Sequence, residues 1–395
     1  MHEPIQLTSR IPSVRNSISR SLLRYTQFLM VLAWFALSPT AQAVSPPPDG
    51  DYGNGNTAEG NSALLNLING TNNTAIGQSA LLNDTTGSRN TAVGSGALLS
   101  NTNGTNNTGL GSNALDSNTT GSSNTAIGST TLVDTTTGKN NTATGCFALD
   151  FNTTGNNNTA TGFAALLSNT NGNDNTAMGY QALASNGFDA IDNTAVGSGA
   201  LFSNTSAGFN TAIGFHALFT NTASNNTAVG FEALVNNRTG TQNTATGGAA
   251  LFKSTTGNNN TADGSGALFS NTTGSNNTAD GPLALENNTI GHDNSAGGFQ
   301  ALANNTTGSS NIALGSNAGI NLTTGSNNID IGAAGTAGES KKIRIGKQGT
   351  QTATFIAGIY NVNEGGTIKP LYINSNGQLG TQAPASAGDM RQTWA

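Results

Sequence analysis

The stretch NTAIGQSALLNDTTGSR, residues 73–89, is followed at once by a second stretch with the same pattern, NTAVGSGALLSNTNGTN, residues 90–106. The pattern occurs seventeen times between residues 56 and 332, and every spacing is 17 residues except one of 18 and one of 16. We call each copy a coil, number its positions from zero at the first Asn, and call one position in successive coils a row. A fixed period of this length indicates a repeat architecture, in which each unit packs against its neighbours.

Three rows hardly vary, and they predict the fold. Position zero is Asn and position four is Gly in all seventeen coils, and position eight is Leu in the first fifteen. Asn, Thr and Gly crowd every coil and no apolar spacing of three or four persists, which excludes helices. We therefore predict an all-β, parallel β-roll or β-solenoid of about 17 coils, each built as strand, turn, strand, turn, in a rod of roughly 80 Å.

Each of these rows has a predicted structural role, which two well-formed coils illustrate. The stacked Asn side chains, such as Asn73 and Asn210, are expected to form an amide ladder. The glycines, such as Gly77 and Gly214, are expected to allow a bend with positive φ or close backbone approach. The leucines, such as Leu81 and Leu218, are expected to fill a thin core together with Ala at positions two and seven.

A second apolar row at position nine is the candidate oligomer stripe. Its bulkiest members are Phe202, Phe219, Phe252 and Phe269. In a regular strand, adjacent residues point to opposite faces, so positions eight and nine cannot both fill one core. Either the stripe faces outward and is covered by a partner chain, or the chain turns a corner there and both rows are buried in the core.

The N-terminal 43 residues have the features of a secretory signal. Four arginines precede the apolar run Phe28–Leu37. This run is too short to span a bilayer, because a membrane-spanning helix needs roughly 20 residues. The small-x-small pattern Ala41–Ala43 then predicts cleavage after Ala43, with an uncleaved membrane anchor as the alternative. Residues 44–55 are predicted to be a Pro/Gly linker, 56–340 the β-solenoid head, and 341–395 a neck-like strand segment with a polar tail.

The net charge argues against nucleic-acid binding, and the number and placement of the Cys and His residues argue against catalysis and metal binding. Without the predicted signal the chain keeps 10 basic and 19 acidic residues, a net charge of −9. The lone Cys146 cannot form a disulfide within the chain, and His216 and His292 lie more than four coils apart. The stretch Gly109–Ala114 superficially fits a dinucleotide-binding fingerprint, but no helix is predicted after it. We predict a protein that is not an enzyme and that has no catalytic, cofactor or metal site.

The pattern NTAIGxxAL, at residues 73–81 and again at 210–218, resembles the head repeats of trimeric autotransporter adhesins, the YadA-like heads. The resemblance covers residues 56 to 332. It implies a left-handed β-roll, a homotrimer and a place on a bacterial surface. The coils here are longer than the commonest repeat of that family. The segment 343–360 resembles what precedes a chaperone domain, which suggests a member that has lost its C-terminal chaperone or anchor domain.

The expected function is therefore that of an exported, non-catalytic adhesin head at the cell surface or outside the cell. Its partners would be itself and a protein or glycan of a host, a matrix or another cell. Exposed aromatic residues at position five, such as Phe163 and Tyr180, would serve as contacts or else fill the bend. A structural fibre or tail-spike-like stem is the main alternative. Ice binding is a minor alternative, suggested by Thr at position one in fourteen consecutive coils. Position three is also Thr in only three coils, so the paired Thr face of an ice-binding solenoid is not formed.

Overall fold

The computed structural model describes residues 53–347, 349–356, 370–373, 375 and 377–380. These residues belong to two compact units, and the first ends at Lys347. The predicted signal segment with Ala43, and most of the linker that follows it, lie outside the described residues.

The first unit is one parallel sheet in which each coil adds a single short strand. No helix occurs among the described residues. The strands of this sheet are β1 (Thr57–Glu59), β2 (Thr74–Ile76), β3 (Thr91–Val93), β4 (Thr108–Leu110), β5 (Thr125–Ile127), β6 (Thr142–Thr144), β7 (Thr159–Thr161), β8 (Thr176–Met178), β9 (Thr194–Val196), β10 (Thr211–Ile213), β11 (Thr227–Val229), β12 (Thr244–Thr246), β13 (Thr261–Asp263), β14 (Thr278–Asp280), β15 (Ser295–Gly297), β16 (Ile312–Leu314), β17 (Ile329–Ile331) and β18 (Ile343–Ile345).

Successive strands pair in parallel and in register, so equal positions stack on one another. Thr57 pairs with Thr74 and Ala58 pairs with Ala75, and this register repeats up the sheet. The predicted β-solenoid of about 17 coils with a 17-residue period is thereby confirmed. The sheet also extends past residue 340, because β18 pairs with β17. In the second unit, β19 (Tyr372–Ile373) pairs antiparallel with β20 (Leu379–Gly380).

The prediction of two strands per coil is wrong. Position eight adopts the left-handed conformation, with φ of 51° at Leu81 and 53° at Leu218, and so interrupts any extended segment there. Its main chain still bonds to the next coil, because the Leu81 amide donates to the Ala97 carbonyl at 3.0 Å. A left-handed leucine costs ~1–2 kcal/mol, and burial of its side chain stabilises by ~1.5–3 kcal/mol, which offsets the strain.

The core is thin and continuous along the first unit, as predicted. Leu81 and Leu218 are fully buried, and the Ala rows at positions two and seven pack beside the leucines. Polar rows close the two sides of this core. Asn73 and Asn210 are buried, and position eleven forms a second buried row of mostly Asn, such as Asn118 and Asn288.

The position-zero side chains form the predicted amide ladder. Asn260 shows the pattern: its amide nitrogen donates to Asn243 Oδ1 at 3.1 Å and to the Gly274 carbonyl at 2.9 Å. Its own side-chain oxygen accepts from the Asn277 backbone amide at 3.0 Å. The Asn260 side chain therefore joins three successive coils. The ladder continues across the 18-residue spacing, where the Asn193 backbone amide donates to Asn175 Oδ1 at 3.1 Å.

The structure confirms both of the reasons predicted for glycine at position four, positive φ and close backbone approach. Gly77 and Gly214 have φ of +131° and +135°, which side-chain-bearing residues rarely adopt. A Cβ on Gly77 would also lie 2.6 Å from the carbonyl oxygen of Gly94. The bend therefore needs glycine for its conformation and for the close stacking of coils.

Candidate interaction surfaces

The position-nine stripe lies at the corner of the coil and is half-buried. Phe202 and Phe219 stack with ring centroids 5.1 Å apart, and Phe252 and Phe269 stack with centroids 5.0 Å apart. All four rings keep part of their surface accessible. The stripe is therefore neither a core row nor a fully outward face, and it presents the edges of stacked aromatic rings.

A more exposed apolar row stands on the strands themselves, at position three. Its side chains point away from the core, and Ile76, Leu110 and Met178 are 41%, 46% and 48% exposed. Asp263 and Asp280 stack in this row and are exposed, as the repulsion of two buried carboxylates predicts. Sequence reasoning predicted that position three faces water at least at Asp263 and Asp280, but it assigned the outward apolar stripe to position nine and not to the Ile, Val, Leu and Met residues of position three.

The position-five aromatic residues form short ladders on the outside of the bend. Phe163 stacks on Tyr180 and Phe215 stacks on Phe231, each pair with centroids 5.5 Å apart. These four side chains are between 42% and 57% exposed, so they do not fill the bend. Their rings shield one another's faces and offer mainly their edges to a partner.

The two histidines of the coils, His216 and His292, are far apart along the rod and have local partners. His216 stacks on Phe215 with centroids 3.8 Å apart, and His292 Nδ1 lies 2.6 Å from Asp293 Oδ2. Cys146 is half-buried, with its Sγ 3.8 Å from Thr130 Oγ1. Among the residues that the structure describes, no three His, Cys, Asp or Glu side chains are grouped so as to hold a metal ion.

Asp84 is the unusual member of the second polar row. It is buried, and its Oδ1 accepts from the Gly87 amide at 2.9 Å and from Asn101 Nδ2 at 3.1 Å. Its Oδ2 has no hydrogen-bond partner, whereas in the next coil Asn101 Nδ2 donates to the Gly104 carbonyl at 3.2 Å. Burial raises the pKa of Asp84 from 3.8 to about 6, and the two bonds that it accepts only partly counter this.

We expect Asp84→Asn to make the stability of the protein less dependent on pH. The folded-state pKa of Asp84 lies above its unfolded value, so its contribution to the free energy of unfolding is complete below about pH 4 and is lost as pH rises through about 6. The variant should be more stable than the wild type at pH 7 by about 1–3 kcal/mol and nearly equal to it at pH 4. Urea denaturation at both values measures this difference.

The exposed Asp174, which accepts a bond from Asn157 at 3.0 Å, supplies the control variant Asp174→Asn. This surface change should leave the free energy of unfolding within about 0.5 kcal/mol of the wild type at pH 7. Burial also raises the pKa of Asp150 to about 6, so part of the slope should remain in Asp84→Asn. An Asp84→Asn variant that loses stability at pH 7 would contradict the assignment.

Comparison with known proteins adds no family. A scan against protein-family models finds no match, and a search of curated proteins finds no similar sequence. In the described part of the chain, no helix is long and apolar enough to cross a bilayer. Function must therefore be argued from the surfaces of the rod.

Proposed function

We propose that this chain is the head of an exported, non-catalytic surface adhesin that acts as a homotrimer. The observation that carries the proposal is the stacking of equal positions in register, which displays each outward side chain as a row with a spacing of about 4.8 Å. The position-three and position-five rows repeat in this way. A row of weak contacts, multiplied by parallel copies of the chain, gives avidity without any single essential residue.

Export and a place at the bacterial surface rest on the N-terminal apolar run and on the resemblance of the coils to YadA-like heads. The ligand would be a protein or glycan on a host, a matrix or a neighbouring cell. The net negative charge of the mature chain disfavours nucleic acid.

The experiment that tests adhesion displays residues 44–346 on beads and measures retention on extracellular-matrix proteins, immobilised glycans and bacterial cells. We expect retention on at least one of these surfaces. The control is a bead that carries the same protein after unfolding. Correctly folded protein that is retained on none of them would overturn the adhesin proposal and favour a structural stem.

The stripe prediction concerns assembly. Replacing Phe202, Phe219, Phe252 and Phe269 together with Ser should shift the protein from trimer to monomer in multi-angle light scattering. The reason is that these half-buried rings supply the largest apolar edges of the corner row.

The matched control replaces the four position-five residues Phe163, Phe215, Phe231 and Phe299 with Ser, which removes the same number of rings from a different row. This control should remain assembled. A wild-type chain that is a stable monomer, or a stripe variant that assembles normally, would refute the homotrimer built on position nine.

A further inference from the structure

A shallow, open groove of about 880 Å³ lies on the C-terminal coils. One wall is the position-ten row, with Asn287, Asn304 and Asn321, and the other is the position-twelve row of Thr residues. Lys253 lies at one end of the groove, and the loop that contains Thr336 lines the other. The groove therefore spans about five coils and has two distinct ends.

The Thr wall offers side-chain groups, because its main chain is already used. In the Thr wall, both the backbone amide and the hydroxyl of Thr272 donate to the Thr289 carbonyl, at 2.8 and 2.9 Å. The same pair of bonds joins Thr289 to Thr306. An extended peptide could not add to this wall as another strand, since no free backbone ladder is present there.

The Asn wall keeps unused hydrogen-bonding capacity. Asn304 Nδ2 donates to the Ile320 carbonyl at 2.9 Å, and Asn321 Nδ2 donates to the Gly335 carbonyl at 3.3 Å. An amide carries two N–H donors and an oxygen with two lone pairs, so each side chain can bond a ligand as well. The Thr methyl groups of the opposite wall supply apolar contact.

The charge of the lining favours a ligand with little charge. Among the described residues that line the groove, Lys253 alone carries a charge, and its Nζ lies 5.2 Å from the centroid of the Phe269 ring. A phosphate backbone would need several cations along its path. Hydroxyl, amide and methyl groups in rows instead match the hydroxyl groups and apolar faces of sugars.

The spacing of the rows adds a geometric condition. Equal groups recur about every 4.8 Å along the groove. An extended β-1,4-linked glycan advances by nearly this distance with each sugar, and each sugar is turned over relative to the one before it. Every second sugar would therefore meet the side chains of every second coil in the same orientation. An α-1,4-linked glucan coils and would leave this register.

We propose that the groove binds a linear β-1,4-linked oligosaccharide that lies along the rod, with about one sugar in each coil. The inference rests on the proposed adhesive function and names the glycan class and the place of binding. Lys253 and Phe269 mark the end at which a terminal sugar contacts an amine and an aromatic ring.

The test is isothermal titration of the full chain with N-acetylchitohexaose, a β-1,4-linked hexasaccharide, and with maltohexaose, which is α-1,4-linked. We expect the first to bind and the second to bind at least tenfold more weakly. The variant Asn304→Phe should weaken binding of N-acetylchitohexaose at least tenfold, because the ring fills the middle of the groove. Position ten accepts such a ring, since Phe151 occupies it in another coil and is 47% exposed.

Ser117→Phe is the matched control, because Ser117 is in the same row outside the groove and the variant should bind like the wild type. Circular dichroism and the thermal midpoint establish that each variant is folded, and Asn287→Phe replaces Asn304→Phe if the latter is not. Equal binding by both variants, equal binding of the two sugars, or no binding of N-acetylchitohexaose would overturn the groove proposal. Retention of the beads on another surface would then leave the adhesin proposal standing.

Discussion

Gly247→Ala will destabilise the rod severely, whereas Gly248→Ala will leave it nearly unchanged. Gly247 is a position-four glycine with φ of +125°, and a Cβ there would lie 2.6 Å from the carbonyl carbon of Gly264. The backbone strain and the clash act together, so we expect a loss of about 4 kcal/mol or more in the free energy of unfolding. Thermal and urea denaturation measure this loss.

The neighbouring glycine makes an unusually close control. A Cβ on Gly248 would have its nearest neighbour, Ser265 Oγ, at 4.0 Å. Position five also carries Phe or Tyr in other coils, so its backbone accepts side chains. The change should lie within about 1 kcal/mol of the wild type and can be stabilising, because alanine restricts the unfolded chain. Equal destabilisation by the two variants would contradict the account of the bend.

Asn294→Ala will break the amide ladder and is the second large effect. The Asn294 side chain donates to Asn277 Oδ1 at 3.0 Å and to the Gly308 carbonyl at 2.9 Å, and it accepts from the Asn311 backbone amide at 3.0 Å. Its removal leaves the buried Asn311 amide unpaired, whereas Asn277 Oδ1 still accepts from the Asn294 backbone amide at 3.1 Å and the Gly308 carbonyl still accepts from Asn305 Nδ2 at 2.9 Å. One buried group left unpaired costs ~1–3 kcal/mol and each of the two other lost bonds ~0.5–1.5 kcal/mol, so we expect a loss of about 2–6 kcal/mol in urea denaturation.

The control is Asn304→Ala, in which an exposed Asn loses its bond to the Ile320 carbonyl at 2.9 Å and the bond that it accepts from Asn287 Nδ2 at 3.5 Å. This variant should lose at most about 1 kcal/mol. If Asn294→Ala and Asn304→Ala were equally stable, the amide ladder would contribute nothing measurable to the free energy of unfolding. The hydrophobic rows alone would then stabilise the stack of coils.

The structural role of each row was predictable from the sequence. Coils of equal length that stack in register place residues of the same position on top of one another, so one residue type fills one environment. Asn73, Gly77 and Leu81 have the roles that their residue types indicate: a buried amide, a bend with positive φ and a core side chain. The path of the chain between these anchors was not predictable. The left-handed φ of Leu81 breaks the alternation of faces that a regular strand would impose, so position nine lies at a corner.

The second Asn row and the groove were harder to predict for different reasons. Position eleven falls in stretches such as NTTG that resemble a turn, and the buried bond from Asn118 Nδ2 to Asn101 Oδ1, at 2.7 Å, depends on stacking rather than on local sequence. The groove requires two rows at opposite walls and the loop at Thr336 at one end. Its signal in the sequence is the run of Asn at position ten in three successive late coils, Asn287, Asn304 and Asn321.

The parallel register also determines how the rod would respond to tension. Its strand-to-strand hydrogen bonds, such as those between β10 and β11, run along the axis of the stack, so a pull on the two ends opens them one rung at a time instead of shearing many at once. Each coil that peels away releases 17 residues, or roughly 55–60 Å of extended chain, for the rupture of one rung. A tether of this kind lengthens in equal steps under load while the coils that remain keep their surfaces intact.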